Sequence, residues 1–177
     1  MESTAEMLQT ALELCRQYGA TDAEIGISME EGFDVDVRMG EVEALSFHKK
    51  QGIGLTVYVG LRKGLASATD LSLASVKTLA KAACDMAKYS AEDPCYGLAD
   101  AKYWQKLNTT DLDLYHPWTI TPEDAIQKAI ELESLARASD SRIVNSDGSQ
   151  CSTYEFLHAS MNSRGFYEYI KSTRHGM

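Results

Sequence analysis

Apolar residues recur at helical spacing near the start of the chain, where Leu8, Ala11, Leu12 and Cys15 make one stripe. The spacing predicts a helix over 4–18. Ser3 with Glu6 has capping-box spacing at its head, and Gly19 supplies a stop. The period then changes to two. Ala23, Ile25 and Ile27 alternate with their neighbours, and Phe33, Val35, Val37 and Met39 do the same opposite Asp34, Asp36 and Arg38. Gly40 marks a turn, residues 42–47 read as one strand, and Ile53, Leu55, Val57 and Val59 read as the next. Residues 60–64 turn the chain into a strand over 65–69. Short strands joined by glycine turns predict an antiparallel meander with one face covered.

The cover is helical. Leu73, Val76, Ala80, Ala83 and Ala87 keep helical spacing behind a cap from Asp70 or Ser72. A long connection follows, with Tyr96, Tyr103, Trp104, Tyr115 and Trp118. It is too aromatic for a free linker and is expected to pack as an arm or to meet a partner. Thr121-Pro122-Glu123-Asp124 is a strong helix start, and Ala125, Ile126, Ala129, Ile130 and Leu135 give the buried stripe behind it. Residues 142–145 read as a short strand, Asp147-Gly148 as a hairpin turn, 151–160 as a strand, 162–165 as a turn and 166–170 as a last strand. The expected fold class is α/β (α+β), with a mostly antiparallel or mixed sheet covered by helices. Helix followed by hairpins occurs twice, as in an internal duplication. Two sub-lobes, 1–90 and 119–177, would be joined by the aromatic arm 91–118.

Composition narrows the function. The 177 residues are 44% hydrophobic and 24% charged, which favours folding over disorder. A net charge of -9 repels phosphate backbones, so nucleic acid is not an expected partner. Lys49-Lys50 and Arg62-Lys63 are isolated basic pairs. Cys15, Cys84, Cys95 and Cys151 form no CxxC, and the first two sit on apolar helix faces as reduced core residues. No signal-peptide pattern and no membrane-length apolar run occurs, so the expectation is a soluble cytoplasmic protein without a membrane partner.

Candidate chemistry is sparse. The histidines are His48, His116, His158 and His175; no HExxH is present and no two share a helical turn. No catalytic, cofactor-binding or metal residue is therefore assigned. His158 shares a strand face with Tyr154 and Phe156 and reads as part of an aromatic surface or a sheet–helix contact. His48 reads as a solvated strand end, and His116 as an arm residue with a local hydrogen bond. Ser172-Thr173-Arg174-His175 could line a cleft or bind a carboxylate, but spacing alone favours a frayed tail. Asp34, Asp36 and Arg38 form a polar ladder that fits a solvated sheet, with Glu41 and Glu43 beyond it. Glu92-Asp93-Pro94 reads as a turn. The Gly52-Ile53-Gly54 and Gly60–Gly64 runs lack the features of nucleotide loops and read as hairpin or edge glycines. The chain stops on strand-like residues, so we read it as a piece of a larger protein whose exposed last strand could drive homodimerisation or aggregation.

Specific runs carry a family resemblance. Arg38-Met39-Gly40-Glu41-Val42-Glu43, then Gly52 to Gly60, then Arg62-Lys63-Gly64 with Ala66 to Asp70, closely resemble the N-terminal domain of the PmbA/TldD family. Residues 87–98 (AKYSAEDPCYGL), 113–118, Asn145-Ser146-Asp147-Gly148 and the closing Ser172 to His175 extend the match over essentially the whole chain. It looks more like the PmbA (TldE) branch than the TldD branch. The resemblance implies a cytoplasmic protein linked to zinc-dependent proteolysis of peptides and small unfolded proteins, in a family also named modulators of DNA gyrase. It implies a TldD-type partner subunit that holds the zinc through an HExxxH motif and a later cysteine, in a C-terminal metalloprotease-like domain absent here. The chain's expected part is noncatalytic, forming a wall of the substrate enclosure. Arg174 and His175 are candidates for substrate contact. The alternative is a standalone peptide- or protein-binding module without hydrolysis.

Overall fold

The computed structural model describes residues 2–104 and 112–177, without the side chains of Glu2 and Ser3. The expected Ser3 cap and residues 105–111 of the arm lie outside that set. Among the described residues, three helices and five strands run in the order α1 (Glu2–Gln17), β1 (Asp22–Arg38), β2 (Glu41–Val59), β3 (Arg62–Ala68), α2 (Leu73–Tyr89), α3 (Pro122–Ala138), β4 (Ser149–Asn162) and β5 (Tyr167–Gly176). A short 3-10 turn, Ala101–Tyr103, lies in the arm. The strands form one five-stranded sheet in the order β3-β2-β1-β4-β5. β2 and β3 are antiparallel, with Ile53 opposite Ala68 and Val59 opposite Arg62. The expected sheet covered by helices is thus observed.

Two compact units emerge. The first is built from Met1–Met29, Gln51–Leu112 and Leu157–Ile170, and the second from Glu30–Lys50, Asp113–Phe156 and Lys171–Met177. In the first, Leu8, Ala11, Leu12 and Cys15 of α1 and Val76, Ala80, Ala83 and Ala87 of α2 pack on Ala23, Ile25, Ile27, Ile53, Leu55 and Val57. Alternation along β1 and β2 sends every second side chain to this core. Cys84 Sγ lies 3.6 Å from the Cys15 carbonyl oxygen, and both cysteines are buried and free. Ser72 caps α2, its side chain accepting from the Ser75 N–H at 3.3 Å. The arm packs where it is described: the Trp104 indole donates to the Ala99 carbonyl and its ring meets Phe166 edge-on at 6.0 Å.

In the second unit, Phe33, Val35 and Val37 of β1 and Cys151 of β4 form a core with Ala125 and Ala129 of α3, bordered by Trp118 and Ile120. Thr121 caps α3, accepting from the Asp124 N–H at 3.1 Å, with Pro122 in the first turn.

Four local readings change. The strands expected over 42–47 and from Ile53 to Val59 are one strand, because Gly52 and Gly54 stay inside it and neither takes a positive φ. Residues 142–145 are not a strand. Asp140 captures this segment, accepting from the Arg142 N–H at 2.9 Å and from its guanidinium, so local side-chain bonds replace a ladder. Leu135 is 64% exposed, while Glu133 takes the buried place on α3. Ser172 to His175 are not a frayed tail but lie in β5, where the Thr173 N–H donates to the Leu114 carbonyl at 2.9 Å.

Candidate functional site

Polar and aromatic side chains gather on the second unit's sheet face opposite α3. Odd-numbered residues of β1 turn to the core, which leaves Asp34 and Asp36 on the other face. Asp34 Oδ1 accepts from the Tyr154 hydroxyl and sits 2.9 Å from His48 Nε2. Tyr154 stacks on Phe156 at 6.2 Å and meets the His48 ring at 5.8 Å. The Arg174 guanidinium lies over both aromatic rings, 5.3 Å from Tyr154 and 5.5 Å from Phe156. Burial first, then the bond to Asp34 and its charge, push the Tyr154 hydroxyl up to about 12, so it remains a donor at neutral pH.

Gly32 makes this arrangement fit. A Cβ there would meet the Thr153 carbonyl oxygen at 2.2 Å and Tyr154 Cδ1 at 2.7 Å. The bare strand position is what the Tyr154 ring lies across on its way to Asp34.

A second polar group, also within this unit, is anchored by His175. Its Nδ1 lies 2.9 Å from Thr153 Oγ1, its Nε2 lies 2.7 Å from the His116 carbonyl oxygen, and its ring meets Trp118 edge-on at 5.5 Å. His175 therefore holds the arm to β4 and is not aimed at the Asp34 cluster. Arg174, its neighbour, is exposed over the aromatic pair. Alternation along β5 separates the two residues that their adjacency had grouped.

The other expected residues distribute as follows. His48 is not a freely solvated strand end but the partner of Asp34. His116 makes the expected local bond, 2.8 Å from Nε2 to the Asp113 carbonyl oxygen. His158 is exposed, with Gly26 beneath its ring. Asp36 accepts from the Gln150 amide at 3.0 Å, and Arg38 donates to the Ser146 carbonyl at 3.1 Å. Arg62 is no free basic group: it donates to the Ser90 carbonyl at 2.7 Å and pairs with Glu92 at 3.2 Å. The bond between Tyr154 and Asp34 was missed because nothing in a sequence gives the register of β1 against β4. The signal available was Gly32, a glycine within an alternating strand.

This group suits recognition better than catalysis. A stacked guanidinium offers forked donors to a carboxylate, and the rings beside it offer apolar contact. Among the described residues, no group of three or more His, Cys, Asp or Glu side chains is placed to hold a metal ion. Asp34 and His48 supply two donors and are bonded to each other, so a zinc ion does not fit them. No helix among the described residues is long and apolar enough to cross a membrane.

Comparison with known proteins agrees with this architecture. Residues 23–87 match the family model for PmbA/TldA metallopeptidase domain 1, and residues 115–177 match that for the PmbA/TldA metallopeptidase central domain. The metalloprotease PmbA of Escherichia coli O157:H7 is 39% identical over 173 residues, covering 97% of this chain and 38% of that protein. The PmbA homolog of Haemophilus influenzae is 35% identical over 167 residues, covering 94% and 37%. The chain thus spans about two fifths of the length of these relatives. A crystal structure of a protein described as a modulator of DNA gyrase, from Bacteroides thetaiotaomicron, superposes with a TM-score of 0.88 at 25% identity, over 99% of this chain and 40% of that one. TldE from Thermococcus kodakarensis shares the fold with a TM-score of 0.74 at 16% identity, over 94% and 37%. On its sequence and its fold, the chain belongs to the PmbA/TldD family and corresponds to its N-terminal part.

Proposed function

We infer that this chain is a noncatalytic part of a PmbA (TldE)-type subunit in a zinc-dependent TldD/PmbA peptidase complex. It forms a wall of the space in which peptides and small unfolded proteins are cut. The observation that carries the reading is the polar and aromatic sheet face, with the Arg174 guanidinium over Tyr154 and Phe156. Such a face can contact an extended chain through stacking and a forked hydrogen bond without supplying a nucleophile or a metal. The metalloprotease names of the relatives support the activity of the assembly. The zinc is placed in a TldD-type partner, and the setting is the cytoplasm, where free thiols such as these persist.

The test is hydrolysis of an unfolded peptide with zinc supplied, by the chain, by a TldD-type partner and by the two together. The expected result is no turnover by the chain, with a chelator-sensitive rise in the mixture above the partner alone. Arg174→Ala should weaken that rise. Chelator-sensitive turnover by the purified chain would overturn the reading. Peptide binding without any effect on turnover would instead favour a standalone binding module.

A further inference from the structure

Arg174 has a chemistry that a general peptide wall does not need. Its support is built in steps within the second unit. Asp34 accepts from the Tyr154 hydroxyl and so fixes that ring. Phe156, two residues along the same strand face, stacks beside it at 6.2 Å. Arg174 comes from β5 and lies over both rings. Contact with ring faces narrows the freedom of the side chain before any ligand arrives, which lowers the cost of binding one.

The guanidinium has no acceptor of its own. Arg62, Arg142 and Arg164 each pair with a carboxylate, those of Glu92, Asp140 and Asp22. Arg174 pairs with none among the described residues and makes only the two ring contacts. The carboxylates whose charges bear on the Tyr154 hydroxyl are Asp34 and Glu30, and both are committed elsewhere. Asp34 holds Tyr154 and His48, and Glu30 pairs with Lys50 at 3.6 Å. The forked donors of Arg174 therefore call for an acceptor from outside the second unit's own side chains.

A carboxylate suits them. It is planar and takes two parallel N–H bonds from one guanidinium. A phosphate offers the same geometry, but a net charge of -9 opposes a dianion more strongly than a single carboxylate. The half-buried Phe156 ring adds apolar contact beside the charge. An extended peptide can reach both with side chains two positions apart, since these share a face.

We propose that Arg174, on its Tyr154–Phe156 support, is a carboxylate subsite through which this face selects acidic peptides with an apolar side chain next to the acid. The carboxylate is that of an Asp or Glu side chain or of the peptide's C-terminus. The proposal rests on the reading of this face as a peptide contact, and adds to it the class of peptide preferred.

Fluorescence anisotropy of labelled glycine–serine peptides tests it on the chain, with circular dichroism to verify folding. Each peptide carries one Phe, with Glu or Gln two positions on as the last residue, and a free or amidated C-terminus. Peptides with a carboxylate are expected to bind about threefold to tenfold more tightly than the amidated Gln peptide. The amidated Glu peptide and the free Gln peptide show which carboxylate is taken. Arg174→Lys keeps the charge and loses the fork, so it should remove most of the preference while leaving the affinity for the amidated Gln peptide unchanged. Equal affinity for all the peptides overturns the proposal, as does a preference that survives in Arg174→Lys. Failure to bind any of them overturns it as well. Turnover by the chain with a TldD-type partner separates the subsite from the reading beneath it. A rise above the partner alone, together with binding blind to the carboxylate, sinks only the subsite.

Discussion

Glu133 shows how one side chain can hold a turn. The β1–β2 connection has Met39 at φ 55 and Gly40 at φ 81, the backbone of a tight two-residue hairpin. Glycine adopts that conformation freely, whereas methionine is strained in it. The Glu133 carboxylate reaches over from α3 and accepts from the Met39 N–H at 2.8 Å and the Gly40 N–H at 2.7 Å. Replacing Met39 with glycine should stabilise the chain by about 0.5–1 kcal/mol, the relief of the strain exceeding the added freedom of the unfolded chain. Chemical denaturation checks this. The Glu133 carboxyl is held below the usual glutamate range, first by the Met39 N–H, against the opposing effect of burial, and then by Gly40, Ser146 and Arg137. A lowered carboxyl supplies stability that is complete above the ordinary glutamate pKa and lost as pH falls through the lowered value. The melting temperature should therefore drop on acidification below about pH 4.3. In Glu133→Gln it should start several degrees lower at neutral pH, and the two curves should converge in acid. Parallel curves would remove the carboxylate from this role.

At the scale of elements, β1 and β4 meet through a glycine. Gly32→Ala would drive a methyl group into the Thr153 carbonyl and the Tyr154 ring. The expected cost is about 1–3 kcal/mol, as for other overpacked sites. Tyr154→Phe keeps the ring and removes only the bond to Asp34, so its cost should stay near about 1 kcal/mol. Denaturation of both variants checks the order; a Tyr154→Phe loss equal to that of Gly32→Ala would mean the hydroxyl and not the close approach matters. The helices and the alternation of β1, β2 and β4 were legible because periodicity and caps are local. The continuity of β2 through Gly52 and Gly54 was not, since a glycine permits a turn without requiring one. Tyr154 on Asp34 depends on inter-strand register, and Glu133 on Met39 depends on where α3 lies; neither is written in local spacing. Arg174 and His175 stand in one polar run of the sequence, but only the formed β5 separates their roles.

For the whole chain, the informative feature is that β1, β2, β4 and β5 each contribute residues to both compact units. A unit that gives up its half of a strand frays the hydrogen-bonded ends of the half that remains. The units should consequently open together in one cooperative step. Thiols report on this directly. Cys95 is exposed, whereas Cys15 and Cys84 are buried in the first unit and Cys151 in the second. The neighbouring Cys84 thiol, with burial, pushes the Cys15 thiol up, and burial does the same for Cys151, so both are poor nucleophiles while folded. Under native conditions a thiol reagent should modify Cys95 rapidly and the other three slowly. Mass spectrometry of labelled peptides should then find Cys15, Cys84 and Cys151 reacting at one common rate that rises with denaturant. If Cys151 were labelled well before Cys15 and Cys84, the second unit would open without the first, and the strands they share would not couple them.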